Sequence, residues 1–272
     1  MSKIKNLIRQ LLNKGYSHWI FIIPGTFLLA LFTLPLVALL VRSINNDFFV
    51  YTFSEQAFKA LRLSLLTSTI STISAVVLGT PLAYMLAQWK FRFKSWVELV
   101  IDLPIVLPPS VAGLALLIAF GRRGLFGAFL NELGLSLPFT TTAVVLAQIF
   151  VASPLYVRSA RVGFAEIDKQ LEEAARVEGA NHWQLFYEVM LPLTGRTLLS
   201  GAILTWTRAL GEFGATILFA GNLEGVTQTM PMAIYLGFER NIGVALSLSV
   251  LLIFVSILLL LLTKKLEKHG QD

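Results

Sequence analysis

Arg208 and Glu212 stand one helical turn apart in an otherwise apolar stretch, TWTRALGEFGATILFAG at 205–221. Opposite charges at that spacing can meet on one face of a helix. Ionisable residues at membrane depth are costly and face a bundle interior or a water-filled path. Two uses stand open, an ion pair that locks helices together and a wall of a transport path, and one pair can serve both. Gly211 and Ala215, also four apart, would let a second helix approach closely. Catalytic chemistry has little else to draw on. There is no cysteine, which excludes disulfides, thiolate metal sites and cysteine nucleophiles. His18, His182 and His269 lie far apart and offer no metal-ligand spacing. No G-x-x-x-x-G-K-[ST], H-E-x-x-H or G-x-S-x-G occurs, so no ATPase site, metal, cofactor or catalytic constellation is expected. Energy for active transport would come from a separate subunit or from an ion gradient.

The second functional candidate is a charged island, LEEAARVEGANHWQLFYEVMLP at 171–192, between two apolar stretches. Asp168 is suited to N-cap one short helix and Gly179 to end it. Asn181 with Gln184 forms a capping-box pattern that opens a second short helix, expected to run to Pro192. The outer side of this helix–turn–helix would carry Ala174, Ala175, Gly179 and Ala180, small residues that let another protein approach the backbone. A surface-lying amphipathic loop is the plainer alternative. The spacing decides between them. Glu173-Ala174-Ala175, Gly179 and then Val189-x-Leu191-Pro192 resembles the EAA motif of ABC importer permeases, with Val189 where that pattern usually has Ile. The resemblance implies a coupling segment, about 168–192, in which Glu173, Ala174, Ala175, Gly179, Leu191 and Pro192 dock on a cytoplasmic ATP-binding subunit.

The elements that must position these residues follow from composition. Of 272 residues 56% are hydrophobic and only 14% charged, and the mean hydropathy is +0.72. Soluble domains carry about a quarter charged residues, so the chain reads as an all-α integral membrane protein. Six transmembrane helices are expected, at about 19–41, 63–86, 103–120, 139–157, 198–219 and 244–262, in one permease domain covering 1–272. The second is rich in hydroxyls: Ser64, Thr67, Ser68, Ser71, Thr72 and Ser74 recur at helical spacing, and tight helix packing is favoured over a substrate wall. The third opens with Pro104, Pro108 and Pro109, and broken backbone at membrane depth must be covered by protein or line a cavity. Glu98 and Asp102 follow Lys94 at four-residue steps and read as a charge ladder at the interface.

Charge sets the orientation. With both termini inside, inner segments hold 15 of the 22 Lys and Arg and outer loops hold 6, with Arg208 inside a span. The positive-inside rule thus places the island in the cytoplasm. The net charge of +6 is read as topology and not as a nucleic-acid surface.

Further motifs narrow the resemblance. RALGEFGA at 208–215, FAGN at 219–222, TQTMPMAIY at 227–235, LPPSVAG at 107–113 and GRRGLFG at 121–127 are similar to permease subunits of the molybdate/sulfate type, nearest to the molybdate subunits. The similarity covers about 20–262. It implies a type I ABC importer permease fold and a homodimer in the bilayer of a prokaryotic inner membrane. It also implies cytoplasmic ATP-binding subunits and an extracytoplasmic substrate-binding protein that delivers an oxyanion. Molybdate is the expected cargo; sulfate, thiosulfate or tungstate is the alternative, and an ion-coupled secondary transporter is the less favoured class. The charge distribution makes a direct prediction. Single cysteines at Ser2, Gln170 and Gln271 should react only with reagents that reach the cytoplasm. Labelling of Gln170→Cys from outside intact cells would reverse the orientation.

Overall fold

The computed structural model describes residues 17–44 and 47–269. The basic N-terminal tail with Lys3, Lys5, Arg9 and Lys14 lies outside the described residues, as do Ser2 and Gln271. Every regular element among the described residues is helical. In hydrocarbon a helix satisfies its own backbone groups, and an apolar chain without strand alternation has no other economical solution.

In chain order the helices are α1 (Ser17–Ser43), α2 (Phe48–Thr52), α3 (Glu55–Gln88), α4 (Lys94–Val106), α5 (Pro109–Phe120) and α6 (Gly127–Glu132). There follow α7 (Thr141–Ala165), α8 (Lys169–Val177), α9 (His182–Gln184), a π-helical turn over Leu185–Met190, and α10 (Leu191–Leu210). The chain closes with α11 (Gly214–Ala220), α12 (Met230–Arg240) and α13 (Ile242–His269).

The centre of the bundle is the seam between α3 and α7. α3 begins at Glu55, earlier than hydropathy suggests, because the Ser54 hydroxyl accepts the Ala57 N–H at 3.2 Å and caps it. At about 1.5 Å per residue its 34 residues are longer than the thickness of a bilayer core of about 30 Å. The facing residues are small: Ala75, Gly79 and Ala83 on α3, and Ala143, Ala147, Ala152 and Ala160 on α7, are buried. Ser71 donates to Gln148 Oε1 at 2.9 Å, and Gln148 Nε2 donates to Thr67 at 3.2 Å. Lower down, the Thr80 and Tyr156 hydroxyls meet at 2.6 Å. Toward the other end, Ser64 accepts the Met230 N–H at 2.7 Å and ties α12 to the seam. The hydroxyl stripe therefore serves packing. Ser68 and Thr72 are buried but bond back to the Leu65 and Ser68 carbonyls of their own helix, and Ser74, half-exposed, bonds back to the Ile70 carbonyl at 2.8 Å.

The expected spans resolve unevenly. Among the described residues four helices are long and apolar enough to cross a membrane, those within α1, α3, α7 and α13, or five if α4 and α5 form one crossing. The third expected span is instead this pair, bent by 117°. Pro108 forces Leu107 into an extended conformation (φ −65°, ψ 136°), and neither Pro108 nor Pro109 has an N–H to continue a ladder. The fifth expected span is likewise interrupted: α10 ends at Leu210, and α11 starts after a three-residue break over 211–213. The second short helix expected to stop at Pro192 does not stop. From its Asn181 cap the chain runs through the π turn into α10, and the widened turn accommodates the N–H that Pro192 lacks.

A prediction rests on the seam. Interhelical hydrogen bonds in bilayers are worth about 1–2 kcal/mol at most, and Gln148 supplies two of them. Gln148→Leu should lower the melting temperature of the detergent-solubilised protein by several degrees. Ser74→Ala should leave it unchanged, and equal effects would show that the seam is not held by this glutamine.

Candidate functional site

Three residues after α7 ends, Asp168 accepts the Gln170 N–H at 3.0 Å and caps α8 as expected. α8 closes on Gly179, whose φ of +92° is one that side-chain-bearing residues rarely adopt. The Gly179 and Ala180 N–H groups return to the Arg176 and Ala175 carbonyls at 3.0 Å each. Asn181 and Gln184 form a complete capping box, with Gln184 Oε1 accepting the Asn181 N–H at 2.9 Å. Each end of the handle is thus fixed by local bonds that need no partner.

The faces of this handle sort the expected residues. Glu173, Ala174, Gly179 and Pro192 are exposed. Ala175 and Leu191 are not on the outer side: both are half-buried and pack on the inner core formed by Leu86, Phe164, Leu185 and Met190. Ala180 is half-buried as well. Underneath, Tyr84, Phe164 and Phe186 pack edge to face, with ring centroids 4.9 Å apart for Tyr84–Phe186 and 5.5 Å for Tyr84–Phe164. That triad fastens the handle to α3 and α7. Glu172 and Arg176 pair at 2.6 Å along α8. The sequence reading missed the exposed apolar residues of the island. Val177 is 88% exposed, Trp183 72% and Tyr187 60%, with the two rings stacked. Their signal was available, since apolar side chains in an otherwise charged segment call for a partner.

The second locus lies where the two interrupted spans meet. A Cβ on Gly113 of α5 would stand 2.7 Å from the Ala215 carbonyl oxygen, so only glycine permits this approach of α5 to α11. Pro109, at the start of α5, lies against Gly214 at the start of α11. Gly211 plays no such part, since it is exposed and a Cβ there would meet only the Thr207 carbonyl at 3.7 Å. Arg208 Nη1 and Glu212 Oε2 pair at 2.6 Å, as their spacing allows. Glu212 nevertheless sits in the break and not on a continuous helix. Its other oxygen accepts the Ala215 N–H at 2.8 Å, in the first turn of α11. One buried carboxylate, 1% exposed, thereby neutralises an arginine and caps a helix. Arg208 keeps 34% of its side chain exposed beside the break.

Glu98 corrects the expected charge ladder. Its carboxylate turns to Arg161 of α7 at 2.5 Å and not to Lys94. Among the described residues no three histidine or acidic side chains gather as metal ligands.

Interrupted apolar helices around a tight seam, with a self-capped charged handle at one end, define a membrane-embedded transport component. The chain belongs to the family of binding-protein-dependent transport system inner membrane components, matched over residues 75–269. It is 40% identical to the molybdenum transport system permease protein ModB of Mycobacterium tuberculosis over 244 residues, 90% of this chain and 92% of that one. It is 37% identical to the probable transport system permease protein NifC of Clostridium pasteurianum over 231 residues, 85% of this chain and 81% of that one. In fold it is similar to a bacterial ABC transporter involved in the import of the polysaccharide alginate, with a TM-score of 0.79 and 17% identity. That likeness covers 97% of this chain and 99% of the other.

The double use of Glu212 has a measurable signature. Glu212→Gln keeps an acceptor for Ala215 and loses only the charge, at about 1–3 kcal/mol. Glu212→Ala loses both and should destabilise further. Exchanging the pair restores the charges but not the cap, since arginine cannot accept a hydrogen bond, so it should recover only part of the loss. Thermal unfolding in detergent ranks the three, and equal stabilities for Gln and Ala would remove the capping role.

Proposed function

We propose that this chain is the permease subunit of an ATP-driven molybdate importer. The observation that carries the reading is the handle, a rigid, self-capped projection that presents Val177, Trp183 and small residues to solvent on the side marked by positive charge. The cargo rests on the molybdenum permeases to which most of the chain is similar. ATP hydrolysis belongs to a cytoplasmic partner that docks on Glu173, Ala174, Gly179 and Pro192, with Ala175 and Leu191 supporting that face from inside. Two copies of the chain enclose the path, bordered by the interrupted helices and the Arg208–Glu212 pair. An extracytoplasmic binding protein delivers the anion. Counting α4–α5 and α10–α11 as one interrupted crossing each gives six crossings in a single permease domain, with both termini in the cytoplasm of a prokaryotic cell.

In this reading α8 moves when the ATPase subunits close, and α7 carries the motion toward the breaks. Access alternates because the breaks are the points at which the bundle can bend without breaking helical hydrogen bonds. The test is reconstitution with the cognate ATPase and binding protein in liposomes. ATP-dependent molybdate uptake, competed by tungstate more strongly than by sulfate, is expected. Uptake that proceeds without ATP and collapses with an ion gradient would overturn the proposal.

Docking has its own prediction. A Cβ at Gly179 meets nothing within 4 Å in this chain, so Gly179→Leu costs about 1–2 kcal/mol of backbone strain plus any clash with a partner. Gly179→Leu and Glu173→Lys should insert normally but co-purify with less ATPase subunit and lose binding-protein-stimulated hydrolysis. Normal values for both would remove the coupling role.

A further inference from the structure

The α4 helix is poorly anchored by packing, since Pro104 alone among its residues is buried. Its neighbour is α7, and the firmest link between them is electrostatic. Glu98 Oε1 and Arg161 Nη1 meet at 2.5 Å, with 27% and 31% of their side chains exposed. Asp102 and Arg158, each about one turn from those residues on the same helices, line a small cavity together with the pair and with Leu86, Ile101 and Val157. Asp102 and Arg158 are not themselves within ion-pair distance of one another.

The placement gives these four residues a use that their charges alone would not. α7 ends four residues beyond Arg161, and α8 starts at Lys169. At its other end α4 leads into the bend of 117°, whose far side packs against the break that holds Glu212. The pair therefore joins the end of α7 nearest the handle to the helix that leads into the first bend, a second link beside the continuous run of the handle into α10. An exposed ion pair of this length contributes about 0–1 kcal/mol. Here it sits at the inner edge of a membrane bundle, between a well-packed helix and a loosely packed one, where directional contacts decide whether the second follows the first.

We propose that Glu98 and Arg161 are positioning residues that couple α4, and with it the bent span, to movements of the handle, and that Asp102 and Arg158 form the second rung of the same joint. The joint rests on the transport reading above for its function but not for its mechanics. As the end of α7 shifts, the first rung carries α4 with it, and the acidic and basic groups one turn away, on the same cavity, add a second attraction between the two helices when the shift brings them together. Lys94, which has no acidic partner within ion-pair distance among the described residues, takes no part.

The test uses Glu98→Gln, Arg161→Gln and the exchange Glu98→Arg with Arg161→Glu. In the permease in lipid nanodiscs, amide exchange over 94–106 should rise about tenfold in each single variant, a middling value for coupling between sites, and return toward the parental rate in the exchange variant. Exchange over 141–157 should not change. In the reconstituted complex the single variants should co-purify with ATPase subunit normally, yet carry several-fold less molybdate per ATP hydrolysed, and the exchange variant should regain much of the ratio. Parental amide exchange in both single variants overturns the joint. So does faster exchange with an unchanged transport-to-ATP ratio, which would make the pair a local brace only. An exchange variant no better than the singles, in a fully assembled complex, overturns it as well. If the parental complex carries no molybdate, the transport reading fails while amide exchange over 94–106 still decides the joint.

Discussion

A seam of small residues between α3 and α7, crossed by the hydrogen bonds of Gln148, is the contact around which the rest of this bundle is arranged. Lipid tails are as apolar as leucine, so helices in a bilayer gain little from burying leucine against leucine. What they gain comes from close approach and from hydrogen bonds that exclude water. α3 and α7 supply both: alanine and glycine faces bring the backbones near, and Gln148 bonds Thr67 and Ser71 across the contact. The other elements are placed by reference to that seam. α12 hangs from Ser64, α5 and α11 pack on the upper part of α7, and the handle grows out of its lower end.

The seam also explains why two crossings can be broken. α3 and α7 provide the wall on which α10 and α11 pack, and the bend of α4–α5 is met by the second break, where Pro109 lies against Gly214. The break at 211–213 is stabilised by its own side chain, since Glu212 caps the helix that follows it. A carboxylate placed in that way is less a charge in a membrane than a hinge pin.

Much of this was legible in the sequence, and the misses share a physical cause. Caps are local, so Asp168, Gly179 and the Asn181–Gln184 box were readable from residue type and spacing alone. The proline-marked irregularity at 104–109 was visible too, because Pro108 constrains its own neighbourhood. Tertiary facts were not. Hydropathy cannot tell an unbroken span from α10–α11, because the break is only three residues long and its one charge, Glu212, fits an i, i+4 pair with Arg208 on a continuous helix equally well. Ala174 and Ala175 are adjacent and chemically identical, yet one is exposed and the other is half-buried against the inner core. Glu98 looked along its own helix to Lys94, whereas its partner lies 63 residues away on α7. Spacing reports neighbours on one helix; it carries no information about which helix packs alongside.

In the proposed importer the exposed face of α8 is the surface through which an ATPase drives this bundle. Cysteines placed singly at Ala174, Ala175 and Val177 in a transporting complex, treated with a short bifunctional reagent, test it most directly. The account predicts cross-links to the ATP-binding subunit from Ala174→Cys and Val177→Cys, little from Ala175→Cys, and loss of transport once the links form. An actively transporting complex in which none of the three positions can be joined to the ATPase subunit would contradict it.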